Sequence, residues 1–472
     1  MTKKLRVDLI ITLLATGILS LIIATGFRND VSYILLPTVA SFSIFMIFSL
    51  ILRARVGENL FGEIGFLYMA LALIYTVLPA FTFLALNIEV TPGWVWENLA
   101  ALLPSPYQLG IHLWRHVLFL FGISTGYLLF RGRHVPDVRA VKDPKGKDDL
   151  TILVLLVVVV GSILSIVMLS APVHTYIENY TRFDHLSWLP RKFVSMSERM
   201  KQGFYVILVT FLFLNFKRYR LVTLLVVLMM CVFEVVFSFG SRIESLIVIL
   251  IAICLYHYCV KPVTLKKGMV AGLALVTVFT AIEILRSYDF DLSMSQSVVA
   301  EHGMSPATEL GAVYMAGFHL YSERSQGKIP PREWPMFFND FISLFTPNNF
   351  TRWNPQYWYA KAYFPDAVVP PETLGPIADS AIWGGEIDLL IRSLVNGAFF
   401  AYLVRWFITR QEKWWALSVY VFCYATCIMT LKYSVFWHLN PLFKTFVPTI
   451  LVVWVLRNLL PAKNPPLSSG RI

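Results

Sequence analysis

The chain has 472 residues, of which 57% are hydrophobic and only 15% charged, with a formal net charge of +11 and a mean hydropathy of +0.64. This leaves too little polar surface for a water-soluble protein of such length. The positive balance is that of a membrane protein with Lys- and Arg-rich cytoplasmic loops rather than of a nucleic-acid-binding surface.

Apolar runs recur along the chain at 8–26, 32–51, 60–87, 111–130, 150–170, 203–215, 221–239, 244–260, 268–286, 386–404, 414–431 and 445–460. A transmembrane helix needs about 20 predominantly apolar residues, and only the run at 203–215 is clearly short of that. Barrel strands would alternate polar and apolar residues, which 153–160 does not. The pattern predicts an all-α polytopic membrane protein with about 12 transmembrane helices in a single membrane domain, 1–472. The first run, behind MTKKLR, reads as an uncleaved helix rather than a cleaved signal peptide.

With the N-terminus inside, alternation puts Arg53 and Arg55, Arg131 and Arg133, Lys217 and Arg218, Lys261 and Lys266, and Arg405 and Arg410 in cytoplasmic loops. Every short inner loop is then basic, as the positive-inside rule requires, and both termini are expected inside. The largest outer segment is 287–385, between helices 9 and 10, rich in Pro, Trp, Tyr, Phe and Asn. A connection of that length is usually functional. Short helices lying over or dipping into the membrane are expected in it, one of them around 306–321. The Pro- and Ser-containing tail, 462–472, is expected to be flexible.

The sequence has neither a phosphate-cradling Gly-rich loop ending in Lys-Ser/Thr nor an HExxH zinc motif, which argues against a primary pump or a metalloprotease. The five cysteines, Cys231, Cys254, Cys259, Cys423 and Cys427, all lie in apolar runs, so small packing residues are expected there rather than a disulfide framework. Charged residues near or in the bilayer are expensive and are functional candidates. Arg242 and Arg286 stand at outer helix ends, and Arg191 stands in the outer segment 171–202. Guanidinium groups suit a diphosphate through bidentate hydrogen bonds, although Arg286 could equally pair with Glu283 three residues earlier. Glu234 lies within the seventh run, either as a functional group or as the internal partner of an arginine. Asp289 and Asp291 form an Asp-Phe-Asp that could hold a divalent cation. Glu301 and His302 are candidate general bases. Asp379, Glu386 and Asp388 cluster where the large loop meets the tenth run, beside a Trp383-Gly384-Gly385 turn. The loop aromatics Trp334, Phe337, Phe338, Trp353, Tyr357, Trp358 and Tyr359 could stack on sugar rings or simply bury.

Together these features resemble the bacterial O-antigen polymerases, the Wzy class of oligosaccharide repeat-unit polymerases, which are related to the O-antigen ligases. The resemblance rests on three features. Phe239-Gly240-Ser241-Arg242 opens a helix on the outer side. A large loop follows the ninth span. That loop ends in Leu374-Gly375-Pro376-Ile377-Ala378-Asp379 and leads into Ser393-Leu394-Val395-Asn396-Gly397-Ala398-Phe399-Phe400.

The resemblance implies an inner-membrane glycosyltransferase of lipopolysaccharide biosynthesis, with its active site facing the periplasm. Its donor and acceptor would be undecaprenyl-diphosphate-linked glycans. It implies no metal or other cofactor and no nucleic acid, and it makes a chain-length regulator and a flippase candidate partners. Arg242, Arg286 and Arg191 would bind the diphosphate. Glu301, His302 and Asp379 would compete for the base role, with Glu234, Glu283 and Glu386 in support. The ligases carry a histidine late in the loop, where this chain has Asp379, Ser380 and Glu386. An O-antigen ligase, another polyprenyl-linked-sugar glycosyltransferase and a transporter or flippase are the alternative readings. The asymmetric halves of the chain disfavour the transporter.

Overall fold

A computed structural model describes residues 29–85, 105–132, 148–169, 186–237, 242–264, 267–268, 306–345, 353–363, 374–435, 437 and 439–459. The run at 8–26, all of the run at 268–286 beyond its first residue, Asp289, Asp291 and the tail 462–472 lie outside the described residues. The described residues are helical or irregular, with no strand among them. Six of the helical stretches are long and apolar enough to cross a membrane: Tyr33–Val56, Tyr107–Phe130, Asp149–Leu169, Glu386–Ile408, Trp414–Lys432 and Leu439–Leu459. Shorter apolar helices occupy Ile64–Thr76, Met200–Leu214 and Glu244–Val260. Helices satisfy their own backbone polar groups, which is what lets such sequences sit in lipid. The chain is therefore a polytopic membrane protein, helical throughout its described ordered elements.

The short run at 203–215 is the apolar end of a much longer helix, Trp188–Leu214. Its first half is polar and amphipathic, so hydropathy alone marks only the second half. Within 287–385 the described residues form five helices, Pro306–Ser325, Trp334–Phe337, Asn339–Phe345, Pro355–Tyr363 and Gly375–Ile382.

The chain groups into two compact units, 1–135 with 264–406 and 427–438, and 136–263 with 407–426 and 439–472. In the first unit the Asn29–Val56 helix packs along Pro106–Phe130, and Pro306–Ser325 packs on both Ile64–Ala85 and Gly375–Ile382. Helix Glu386–Ile408 meets Pro106–Phe130 through small residues. Gly122 and Gly126 face Ser393 and Gly397, each pair spaced i, i+4. A Cβ at Gly126 would run into the Leu394 carbonyl, one at Gly397 into the Ile123 carbonyl, and one at Gly122 onto the Ser393 side chain. Lipid offers no hydrophobic drive for helix association, so close backbone approach of this kind is what holds membrane helices together. Asn396 adds a buried hydrogen bond, donating from Nδ2 to Tyr68 Oη at 2.9 Å. Phe400 packs on the Tyr68 ring at 4.8 Å.

The end of the Pro106–Phe130 helix is fixed by a fully buried ion pair. Arg131 donates from Nε and Nη2 to the two carboxylate oxygens of Glu63 at 2.7 and 2.6 Å. Tyr127 Oη donates to Glu63 Oε2 at 2.5 Å, and neither charged side chain is exposed. Removing one partner of a buried pair typically costs about 3–5 kcal/mol, because the other charge is left uncompensated. Glu63→Leu is therefore expected to lower the melting transition of the detergent-purified protein. Glu63→Leu combined with Arg131→Met should recover most of that loss.

In the second unit Trp188–Leu214 is the hub, packing on Asp148–Leu169, Phe216–Phe237, Arg242–Leu255 and Trp414–Thr426. Its polar contacts are internal. Lys201 Nζ meets Glu234 Oε1 at 2.5 Å, and Gln202 Nε2 donates to Glu244 Oε2 at 2.5 Å.

Candidate functional site

The densest polar constellation among the described residues of the first unit surrounds the turn between two helices, buried Gly375–Ile382 and the span beginning at Glu386. Leu374-Gly375-Pro376 starts the short helix with proline in its first turn, where the missing amide hydrogen is no loss. All eight residues of the helix are buried. The chain then reverses through Trp383, Gly384 and Gly385, and the backbone amides of Trp383 and Gly385 both donate to Ser380 O, at 3.1 and 2.8 Å. Gly385 has φ 67°, a left-handed conformation that costs glycine nothing.

Arg324 clamps this turn. Its Nη1 donates to the carbonyls of Ala381 and Trp383, each at 3.0 Å. Below the turn, Arg392 joins two carboxylates, with Nη1 to Asp379 Oδ2 at 2.6 Å and Nε to Asp388 Oδ2 at 2.7 Å. Beside it, Arg115 donates from Nε to Glu386 Oε1 at 2.9 Å and lies 3.8 Å over the Tyr321 ring. Tyr321 Oη and Ser380 Oγ lie 3.1 Å apart. Arg332 sits over the Trp383 ring at 5.3 Å. Four arginines and three carboxylates thus gather around one turn, with Arg115 and Arg392 making the ion pairs. Partial burial and the nearby Arg324 guanidinium hold Arg332 below the ordinary arginine range, so two like charges share this rim. Burial lifts the Asp379 carboxyl above its ordinary range, and Arg392 pulls the other way.

A cleft of about 530 Å³ opens at this turn, lined by Arg332, Trp334, Phe337, Trp383, Gly384 and Asp388. Trp334 stacks on Trp383 with ring centroids 6.0 Å apart, and Phe337 meets Trp383 edge-on at 5.2 Å. Aromatic faces, a guanidinium and a carboxylate together present a surface for ring stacking with polar anchoring at its edge.

The structure distributes the sequence candidates unevenly. Asp379, Glu386 and Asp388 converge here, with Asp379 and Asp388 on one arginine. Arg191 belongs to the second unit, where its Nη2 donates to Leu186 O at 3.1 Å. Glu234 also belongs there, with Lys201 as a partner. Arg242 opens the Arg242–Leu255 helix, but its side chain lies outside the described residues. Glu283, Arg286, Glu301 and His302 lie outside them too. The loop aromatics divide. Trp334 and Phe337 line the cleft, whereas Tyr359 is fully buried with its hydroxyl 3.0 Å from His319 Nδ1. Trp353 and Trp358 tie the loop down by donating to Glu333 Oε2 at 2.8 Å and to Pro331 O at 3.1 Å.

Two residues of the constellation escaped the sequence reading, although a signal was present. Arg392 lies inside the run 386–404, four residues after Asp388, and Arg115 lies inside the run 111–130. The rule that singles out Glu234, an ionisable residue within an apolar run, applies equally to both. Arg324 and Arg332 carried only the weak signal of arginines in a long outer loop, which escapes the positive-inside rule. The role of Arg324 depends on helix Pro306–Ser325 passing behind the turn. Compared with known proteins, the chain matches no family model, no curated protein and no solved structure.

Arg324 predicts a specific failure. Lysine keeps the charge and could also donate to two carbonyls, as Nη1 alone does here, but its ammonium is more strongly hydrated and suits a part-buried clamp less well. Arg324→Lys should leave the melting transition within about 1 kcal/mol of wild type, while weakening any ligand that quenches cleft tryptophan fluorescence at least tenfold.

Proposed function

We propose that this chain is a repeat-unit polymerase of lipid-linked glycans. On this reading it has twelve transmembrane helices with both termini in the cytoplasm, lies in a bacterial inner membrane, and holds 287–385 and the cleft at the periplasmic face. Donor and acceptor are glycans on undecaprenyl diphosphate. A hydroxyl oxygen of the acceptor attacks the anomeric carbon of the donor chain, and the bond from that carbon to the diphosphate breaks. The hydroxyl proton passes to a protein base, and the electron pair leaves with undecaprenyl diphosphate. The protein's task is to position the hydroxyl, take its proton and stabilise the charge growing on the leaving group.

The observation that carries this reading is the arginine, carboxylate and tryptophan constellation where the loop meets a membrane span. A glycosyl transfer from a lipid diphosphate needs three things together near the membrane boundary: cationic donors, a carboxylate and sugar-stacking surfaces. Of the candidate bases, Asp379 is the one the constellation favours. Its carboxyl is held above the ordinary range, which strengthens it as a proton acceptor, and Arg392 orients it. Arg332 and Arg324 are the diphosphate candidates that stand at the cleft itself, and Arg242, Arg286 and Arg191 remain the separate candidates that the sequence offers.

The test is chain growth by the purified protein from undecaprenyl-diphosphate-linked repeat units, with EDTA present. Wild type should give a ladder of products. Asp379→Asn should reduce its rate at least 100-fold, and Arg242→Ala should do the same if that arginine meets the diphosphate. Intact substrate left unextended by folded wild-type protein would overturn the proposal. Ladder formation only with a divalent cation would move the chemistry to Asp289 and Asp291.

A further inference from the structure

Three buried polar atoms beside the cleft have no hydrogen-bond partner: Asp379 Oδ1, Arg392 Nη2 and Trp383 Nε1. Buried polar groups are almost always paired, so each of these atoms calls for an explanation. A guanidinium and a carboxylate often meet through two parallel bonds. Here Arg392 Nη1 meets Asp379 Oδ2 at 2.6 Å, while Nη2 and Oδ1 form no second bond. Each is the neighbour of a bonded atom within its own planar group, so the two stand close together across that bond. Burial lifts the Asp379 carboxyl, and Arg392 and the Trp383 indole N–H draw it back. The indole N–H is thus directed at this carboxyl, although it closes no bond.

All three groups are held in place by other contacts. Arg392 is fixed through Nε to Asp388 Oδ2 at 2.7 Å and lies 4.9 Å over the Phe337 ring. Trp334, Phe337 and Arg332 pack on the Trp383 ring. Helix Gly375–Ile382, which carries Asp379, is buried along its whole length. A partner for the three atoms has to bring lone pairs for two N–H donors and a hydrogen for a carboxylate oxygen. A hydroxyl brings both. An ionised phosphate or carboxylate brings no hydrogen, and it would face Asp379 and Asp388, two carboxylates that already answer the single charge of Arg392. The niche lies one side chain from open space, since Trp383 and Asp388 both line the cleft.

We propose that Asp379, Arg392 and Trp383 form a receptor for one neutral ligand hydroxyl, whose oxygen accepts from Trp383 Nε1 and Arg392 Nη2 and whose hydrogen is donated to Asp379 Oδ1. On the polymerase reading, on which this part rests, it is the attacking hydroxyl of the acceptor glycan. The niche then separates two tasks. Arg332 and Arg324 on the rim are left for the diphosphate, and the acceptor is held at Trp383. As the hydroxyl oxygen bonds to the anomeric carbon, its proton passes along the existing hydrogen bond to Oδ1. The electron pair of the broken carbon–oxygen bond leaves with the lipid diphosphate. Trp383 has a polar role besides that of its ring, because its N–H aims the attacking oxygen.

The test removes the N–H and nothing else. Trp383 is replaced in the full chain, by amber suppression, with benzothienylalanine, which keeps the size of the indole and puts sulfur where the N–H was. The probe is the repeat-unit oligosaccharide of the native host, freed of its lipid diphosphate and titrated calorimetrically into the detergent-purified protein. The substituted protein should melt like wild type and bind the oligosaccharide about tenfold more weakly, with its affinity for inorganic diphosphate unchanged. Equal affinity of the two proteins for the oligosaccharide would overturn the proposal and leave water as the occupant of the niche. No binding by wild type would overturn it as well, and so would an equal loss of diphosphate affinity, which marks a general disturbance of the cleft. Chain growth decides the polymerase reading separately. Growth with equal affinities keeps the polymerase and discards the niche, whereas the tenfold loss without growth keeps the niche and discards the polymerase.

Discussion

Arg392→Met should be the most damaging single change around the cleft. The guanidinium is 11% exposed and holds Asp379 and Asp388, themselves 5% and 13% exposed. Methionine fills a similar volume but leaves two carboxylates buried side by side without their cation. Breaking a buried pair costs about 3–5 kcal/mol, and here the remaining like charges also repel. Thermal unfolding in detergent should show a lower transition for the variant, and chain growth should fall below detection. Adding Asp379→Asn and Asp388→Asn to Arg392→Met removes the stranded charges, so the triple variant should recover most of the stability while remaining inactive. That non-additivity distinguishes a coupled ionic cluster from three independent surface groups. Equal melting of Arg392→Met and wild type would show that the cluster is not a buried ionic unit.

The second large effect is expected at Gly126. A side chain there meets the Leu394 carbonyl, which is backbone and cannot rotate away. Gly126→Leu forces the Pro106–Phe130 and Glu386–Ile408 helices apart. It should lose well over the 1–3 kcal/mol typical of overpacking, seen as aggregation or absence of a folded peak on size exclusion. Gly161 is the matched control. It also lies in an apolar helix, but a Cβ there meets nothing within 4 Å. Gly161→Leu should fold as well as wild type, or better by up to about 1 kcal/mol from helix propensity.

This pair of helices also shows what the sequence could and could not reveal. The apolar runs located the six candidate spans among the described residues because lipid imposes one simple rule on length and polarity. The same rule failed at 188–202, where a polar helical half precedes the apolar one. The stretch Ser393 to Phe400, part of the resemblance to the polymerases, proves to be a packing surface. Ser393 and Gly397 face the Gly122 and Gly126 pair, Asn396 binds Tyr68, and Phe400 packs on the Tyr68 ring at a tilt. Its small-residue spacing was visible in the sequence, but its facing partner was not, because 271 positions separate Gly126 from Gly397.

The cleft was legible in part. Asp379, Glu386 and the Gly-Gly turn stood together in the sequence. The arginines that pair with these carboxylates come from two helices and the one that clamps the turn from a third, and no local pattern announces such convergence. Arg115 meets Glu386 across 271 positions. Arg324 reaches the turn across 57 and 59 positions. Glu234 carried a correct general signal, an ionisable group in an apolar run, and its partner Lys201 sits on a neighbouring helix, 33 positions away.

The central claim is that glycosidic bonds form here at the expense of a lipid diphosphate. The most direct measurement follows the leaving group. Purified protein is given undecaprenyl-diphosphate-linked repeat units, and the undecaprenyl diphosphate released is counted against the new glycosidic bonds. The account predicts one released per bond, with both falling together in Asp379→Asn. Release without bond formation, or movement of intact lipid-linked glycan across the vesicle membrane with neither, would contradict it.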